Sequence, residues 1–195
     1  MVEISPFIRW NNCKLIDLDI YFRAMNNPTL YAAAPNYYIY YYNLIESNDL
    51  ILELKKNKEE VVTFMESIQE NRFDFAYAEG KWTVSQVFRH IIETERIFAY
   101  RALRFSRFDE TPLSGFNEND FIEKLNSISF SKQKLIQEFK TVRDSTISLF
   151  ETMTPEMLGF TGNANGLSVS AEMLGFMIVG HTVHHMDVIE NRYLM

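Results

Sequence analysis

The chain has 195 residues, enough for one domain with a sizeable core, and its 47% hydrophobic content excludes a disordered polymer. A formal net charge of -7 disfavours general binding to a phosphate backbone, which needs clustered Lys and Arg. The single cysteine, Cys13, excludes an internal disulfide and points to a reducing compartment.

Charged residues at Glu3, Arg9, Lys14, Asp17 and Asp19 interrupt any leader-like apolar run. No run approaches the ~18 apolar residues of a membrane span. The expectation is a cytoplasmic protein with no membrane or nucleic-acid partner. Only 7 Gly and 5 Pro argue for long uninterrupted helices.

Residues 1–35 have no clear period and read as an N-terminal extension, disordered or partly artefactual. Met25 is an alternative start, which would leave Met1 to Ala24 as an artefact of start-codon choice. The run Tyr37-Tyr38-Ile39-Tyr40-Tyr41-Tyr42 carries no interleaved basic residue, so it reads as aromatic packing over one end of a bundle rather than a base-stacking platform. A first long helix runs from about Asn48 to Gln69, capped by Ser47 or Asn48, with Leu50, Leu54, Val61, Phe64 and Ile68 on one stripe. A loop then leads to Trp82. Thr83 and Gln86 are spaced as a capping box, with Trp82 and Val87 at staple positions, and begin a second helix that reaches about Arg107. Pro112 and Gly115 mark a loop, and Asn119 to Asn126 a short helical turn. A third long helix runs from about Ser131 to Met153 on the stripe Leu135, Phe139, Val142, Thr146, Leu149, Met153. Thr154-Pro155-Glu156 starts a brief extra turn, and Gly162 to Gly166 is a turn cluster. Ser168 caps the last helix. With no strand alternation, the fold class is all-α, a four-helix bundle over residues 36–195.

The last helix holds three of the four histidines. Its inward stripe is Leu174, Ile178, His181, His185 and Val188, so His181 and His185 face the core one turn apart. His184 is rotated about 100° away, onto a flank. The second helix carries His90 on the stripe Val87, His90, Thr94, Ile97, Arg101. A metal shared by His90, His181 and His185 would satisfy three rings that are otherwise costly to bury. The plainer alternative is a set of hydrogen-bonded core histidines.

Five separated motifs then bear on the family: Tyr77-Ala78-Glu79-Gly80-Lys81-Trp82, His90 to Phe98, Tyr100-Arg101-Ala102-Leu103-Arg104, Thr111 to Phe116, and Gly180-His181-Thr182-Val183-His184-His185. In this order they resemble the DinB/YfiT-like superfamily of bacterial metalloenzymes, from about Tyr40 to the end of the chain. The resemblance implies a bundle with an unusual crossover connection. It also implies a divalent metal, zinc or nickel first and iron, cobalt or manganese as alternatives, held by His90, His181 and His185. Where the subgroup carries Asp, this chain has Glu93.

Three histidine ligands leave a coordination position open, as in catalytic sites, where a metal can activate a water or a thiol. The function expected from the resemblance is a small-thiol S-transferase. A metal-dependent hydrolase and a non-catalytic dimeric binding module are the alternatives. Arg101 and Arg104, one turn apart, could hold a carboxylate of a low-molecular-weight thiol; otherwise they pair with nearby acids such as Glu95. Glu93 could act as a base or as an outer partner of His90; otherwise it faces solvent or another helix.

Overall fold

Side-chain caps set where the long helices begin. The computed structural model describes residues 35–125 and 130–195; the expectations for the N-terminal extension and for a start at Met25 fall on residues 1–34, outside the described residues. Thr83 and Gln86 form the expected capping box. Thr83 Oγ1 accepts from the Gln86 amide at 3.3 Å and Gln86 Oε1 from the Thr83 amide at 2.8 Å. Ser131 caps the third long helix by accepting from the Lys134 amide at 3.4 Å. Two caps differ from the sequence reading. Asp49, not Ser47 or Asn48, caps the first long helix by accepting from the Leu52 amide at 3.0 Å. Ser170, not Ser168, caps the last, accepting from the Met173 amide at 3.1 Å.

The elements in order are α1 (Asn36–Tyr42), α2 (Leu50–Ser67), a 3-10 turn (Glu70–Arg72), α3 (Val84–Phe105), α4 (Glu118–Lys124), α5 (Lys132–Glu151), α6 (Pro155–Gly159), β1 (Thr161–Ala164), β2 (Leu167–Ser170) and α7 (Ala171–Tyr193). The β1–β2 hairpin corrects the expectation of no strands. Its register pairs Thr161 with Ser170 and Ala164 with Leu167. Asn165 and Gly166 both have positive φ, 53° and 79°, which gives the turn the twist a two-residue hairpin needs. The strands occupy Ser168, which is why the helix starts later.

Helices α2, α3, α5 and α7 form the bundle. Each of α3 and α2 packs against both α5 and α7, so α2 lies diagonal to α3, and α5 diagonal to α7. Ion pairs Arg89–Glu138 and Glu95–Arg143 run in step, so α3 and α5 are parallel. Lys58–Asp144 and Lys55–Glu151 run in opposite steps, so α2 and α5 are antiparallel. Tyr193 near the end of α7 donates to the Trp82 carbonyl just before α3, at 2.9 Å, so these two are antiparallel. Two consecutive bundle helices, α3 and α5, therefore point the same way, and the connection between them, described over residues 106–125, has to return along the bundle. This is the crossover connection that the resemblance implied.

The core divides into two apolar clusters. One is built on Leu54, Phe105, Phe150 and Leu174, and the other on Met65, Phe88, Ile92 and Phe139. A buried ion pair lies deep in the bundle, where apolar stripes alone would not place it. Arg143, 0% exposed, donates to both oxygens of Glu95 at 2.9 and 3.0 Å, to Asn57 Oδ1 at 2.8 Å and to the Leu54 carbonyl at 3.2 Å. It locks α2, α3 and α5 together. Among the described residues no helix is long and apolar enough to cross a membrane.

Candidate metal centre

The α3–α7 contact brings His90 to His181 and His185. His90 and His181 are buried, at 9% and 6% exposure, and His185 is half-buried. His181 Nε2 stands 3.0 Å from His90 Nε2 and 3.0 Å from His185 Nε2. One nitrogen from each ring falls within 4.8 Å of the others. His181 Nε2 offers either one N–H or one lone pair, so it can make a well-directed hydrogen bond to only one of its two close neighbours. A cation satisfies all three, and ligands about 2.1 Å from one ion sit roughly 3.0–3.4 Å apart. The donor set therefore fits a divalent metal.

Electrostatics keep the rings neutral, the state that ligates. Burial pushes the His90 pKa down to about 4, with His184 adding to the effect. Burial also drives His181 and His185 well below the usual range; neighbouring histidines add to both. Thr94 Oγ1 hydrogen-bonds His90 Nδ1 at 3.3 Å; with Nε2 given to a metal, Nδ1 would carry the proton and donate it. That bond fixes ring orientation, as outer partners of metal ligands do.

Aromatic rings wall the cluster. Trp82 lies 5.0 Å from His90 between ring centroids, Tyr41 5.9 Å and Phe98 6.4 Å from His181. The tyrosine run forms α1, which lies along the flank of α7 rather than over an end of the bundle. Tyr42 donates to the Met173 carbonyl at 3.0 Å, and Tyr40 bonds His184 Nδ1 at 3.0 Å. The approach depends on Gly180: a Cβ there would collide with the Tyr41 carbonyl oxygen. This wall escaped the sequence reading. The small residue immediately before His181 was its available signal. His184 stays on the flank, as its helical phase requires.

The acids and arginines expected near the site separate. Glu93 is half-buried beside Arg89, Arg96 and Glu138, on the side that faces α5. Burial raises its pKa and Arg89 opposes the rise. Among the described residues no hydrogen bond joins it to the histidines. Glu95 is committed to Arg143. Arg104 pairs with Asp109 and donates to the Tyr100 hydroxyl. Arg101 is buried and donates to the Ser114 carbonyl at 2.8 Å. Arg101 and Arg104 line a cleft of about 470 Å³ together with Ile97, Leu113 and Phe116.

No curated protein matches the chain. Among solved structures, the fold is similar to YfiT from Bacillus subtilis, described as a probable metal-dependent hydrolase with an unusual four-helix bundle topology. The TM-score is 0.66 at 19% identity, over 75% of this chain and 85% of that one. Residues 53–189, well over half of the sequence and including all three clustered histidines, match the profile of the DinB superfamily. The chain belongs to the DinB superfamily.

Proposed function

We propose that this protein is a divalent-metal-dependent enzyme in which His90, His181 and His185 hold the cation, and that it transfers a small thiol to an electrophile. The observation that carries the metal reading is the convergence of three neutral Nε2 atoms at 3.0 Å steps in a buried site. A cation there supplies the Lewis acidity that brings the pKa of a water or thiol toward neutrality. Trp82, Tyr41 and Phe98 line the cluster with aromatic rings that suit a polarisable sulfur. In the transfer, the thiol proton leaves to solvent, sulfur bonds the electrophilic carbon, and the leaving group departs with its electron pair.

Thiol transfer is placed first because, among the described residues, no carboxylate contacts the cluster to serve as a base for water. Hydrolysis is the second reading, favoured by the description of the similar B. subtilis protein. Zinc and nickel suit three imidazoles, as do iron and cobalt. The test is elemental analysis of the native protein beside a His181→Ala, His185→Ala variant. About one divalent metal per chain, lost in the variant, supports the centre. No metal in either folded protein removes it. Turnover of small thiols with chlorodinitrobenzene, run beside ester and amide substrates, then decides between transfer and hydrolysis.

A further inference from the structure

We infer that Arg101 forms an anion subsite that takes a carboxylate of the substrate whose reacting atom sits at the three-histidine centre. This rests on the metal-centre reading above and names the class of substrate. Arg101 follows His90 by about three helical turns and returns to within roughly 20° of the same face of α3, some 16 Å along the axis. Helical side chains lean toward the N-terminus, so the guanidinium is carried back toward the histidines. Thr94 and Ile97 share that face between them, and Ile97 also lines the cleft. The Phe98 ring bridges the two positions, 6.4 Å from the His181 ring and 5.9 Å from the Arg101 guanidinium carbon.

Among the described residues the charge of Arg101 has no carboxylate counterpart. Glu138 serves Arg89 and Arg96, Asp109 serves Arg104, and Glu95 serves Arg143. Arg101 is 5% exposed, and among the described residues no carboxylate pairs with it. Among the described residues its hydrogen bond goes to the Ser114 carbonyl at 2.8 Å, and the other donors of the five-donor fork have no partner there. Phe98 and Phe116 each stand 5.9 Å from the guanidinium carbon and help hold it in place. A largely buried guanidinium with no carboxylate beside it among the described residues is costly, and a ligand carboxylate would offset that cost. The adjoining cleft of about 470 Å³ suits a small molecule. A planar fork favours a carboxylate, which it can grip through two oxygens.

The probe is glutathione, a thiol with two carboxylates, titrated by calorimetry beside its diethyl ester. The wild-type protein is expected to bind the acid at least about tenfold tighter than the ester, the scale of a charge-assisted bond. Arg101→Gln should bind both within about twofold of each other. Arg101→Met, apolar and of similar reach, gives the same reading should the glutamine variant not fold. Equal binding of acid and ester by the wild type, no binding of glutathione, or a folded variant that keeps the preference overturns the subsite. Elemental analysis of the same samples reports on the metal centre separately. A metal-free protein that prefers the acid loses the centre and keeps the subsite; a loaded protein with no preference loses only the subsite.

Discussion

Replacing Glu95 by glutamine leaves Arg143 fully buried with no opposing charge. The wild-type guanidinium makes two bonds to Glu95 and one each to Asn57 and the Leu54 carbonyl. Glutamine keeps the shape and removes the charge. Breaking one partner of a buried pair costs about 3–5 kcal/mol. For a chain of this length each kcal/mol lowers Tm by about 2–4 °C, so the expected fall is roughly 6–20 °C. Urea denaturation by circular dichroism gives the free energy, and a thermal scan gives Tm. Replacing both partners, Glu95→Leu with Arg143→Met, removes both charges and their desolvation. That variant should recover to within about 2 kcal/mol of the wild type. The reasoning fails if Glu95→Gln costs less than about 1 kcal/mol, the scale of an exposed pair, or if the double variant loses the sum of the single effects.

Further outcomes concern the centre. Burial depresses the His90 pKa to about 4 from about 6.5 in the unfolded chain, so the unfolded chain takes the proton first. The His90 contribution to the stability of metal-free protein should therefore be full above about pH 6.5 and fall by roughly 3 kcal/mol as the pH drops to 4, with His181 and His185 adding losses of the same sign; urea midpoints that move as far in His90→Phe as in the wild type would contradict this. Added zinc at about a hundredfold its Kd should stabilise the protein by about 2.7 kcal/mol, a gain that His181→Ala abolishes and a chelator reverses in a thermal scan. Gly180→Ala should push α1 off α7 through the Tyr41 carbonyl, cost about 1–3 kcal/mol and weaken zinc uptake; an unchanged Tm would mean that α1 yields freely.

The histidine cluster was legible because each histidine lay in phase with an apolar stripe. His181 and His185 fall one turn apart, and His90 shares the stripe of Val87 and Ile97. The capping box at Thr83 was legible for a similar reason: its two residues act on each other across three positions. What escaped depends on partners far away in the chain. Arg143, Asn57 and Glu95 carry polar groups that an amphipathic reading assigns to the outside, and only their mutual pairing permits burial. The hairpin was signalled by Asn165-Gly166, but strands of four residues leave too short an alternation to detect. The tyrosine run declared an aromatic surface without saying which helix it would meet. Gly180, which admits it, reads in sequence only as a poor helix former.

The parallel course of α3 and α5 has a kinetic consequence. His90 and His181 are 91 residues apart, with the whole return segment, α5 and the hairpin between them. Closing so long a loop is slow relative to forming local helices, because its entropy must be lost before any contact compensates. The three-histidine cluster is therefore expected to assemble late, after the transition state. A cation that prefers the finished cluster cannot nucleate it. It should leave the refolding rate nearly unchanged and slow unfolding, so that the metal acts as a latch on the completed bundle rather than as a template for it.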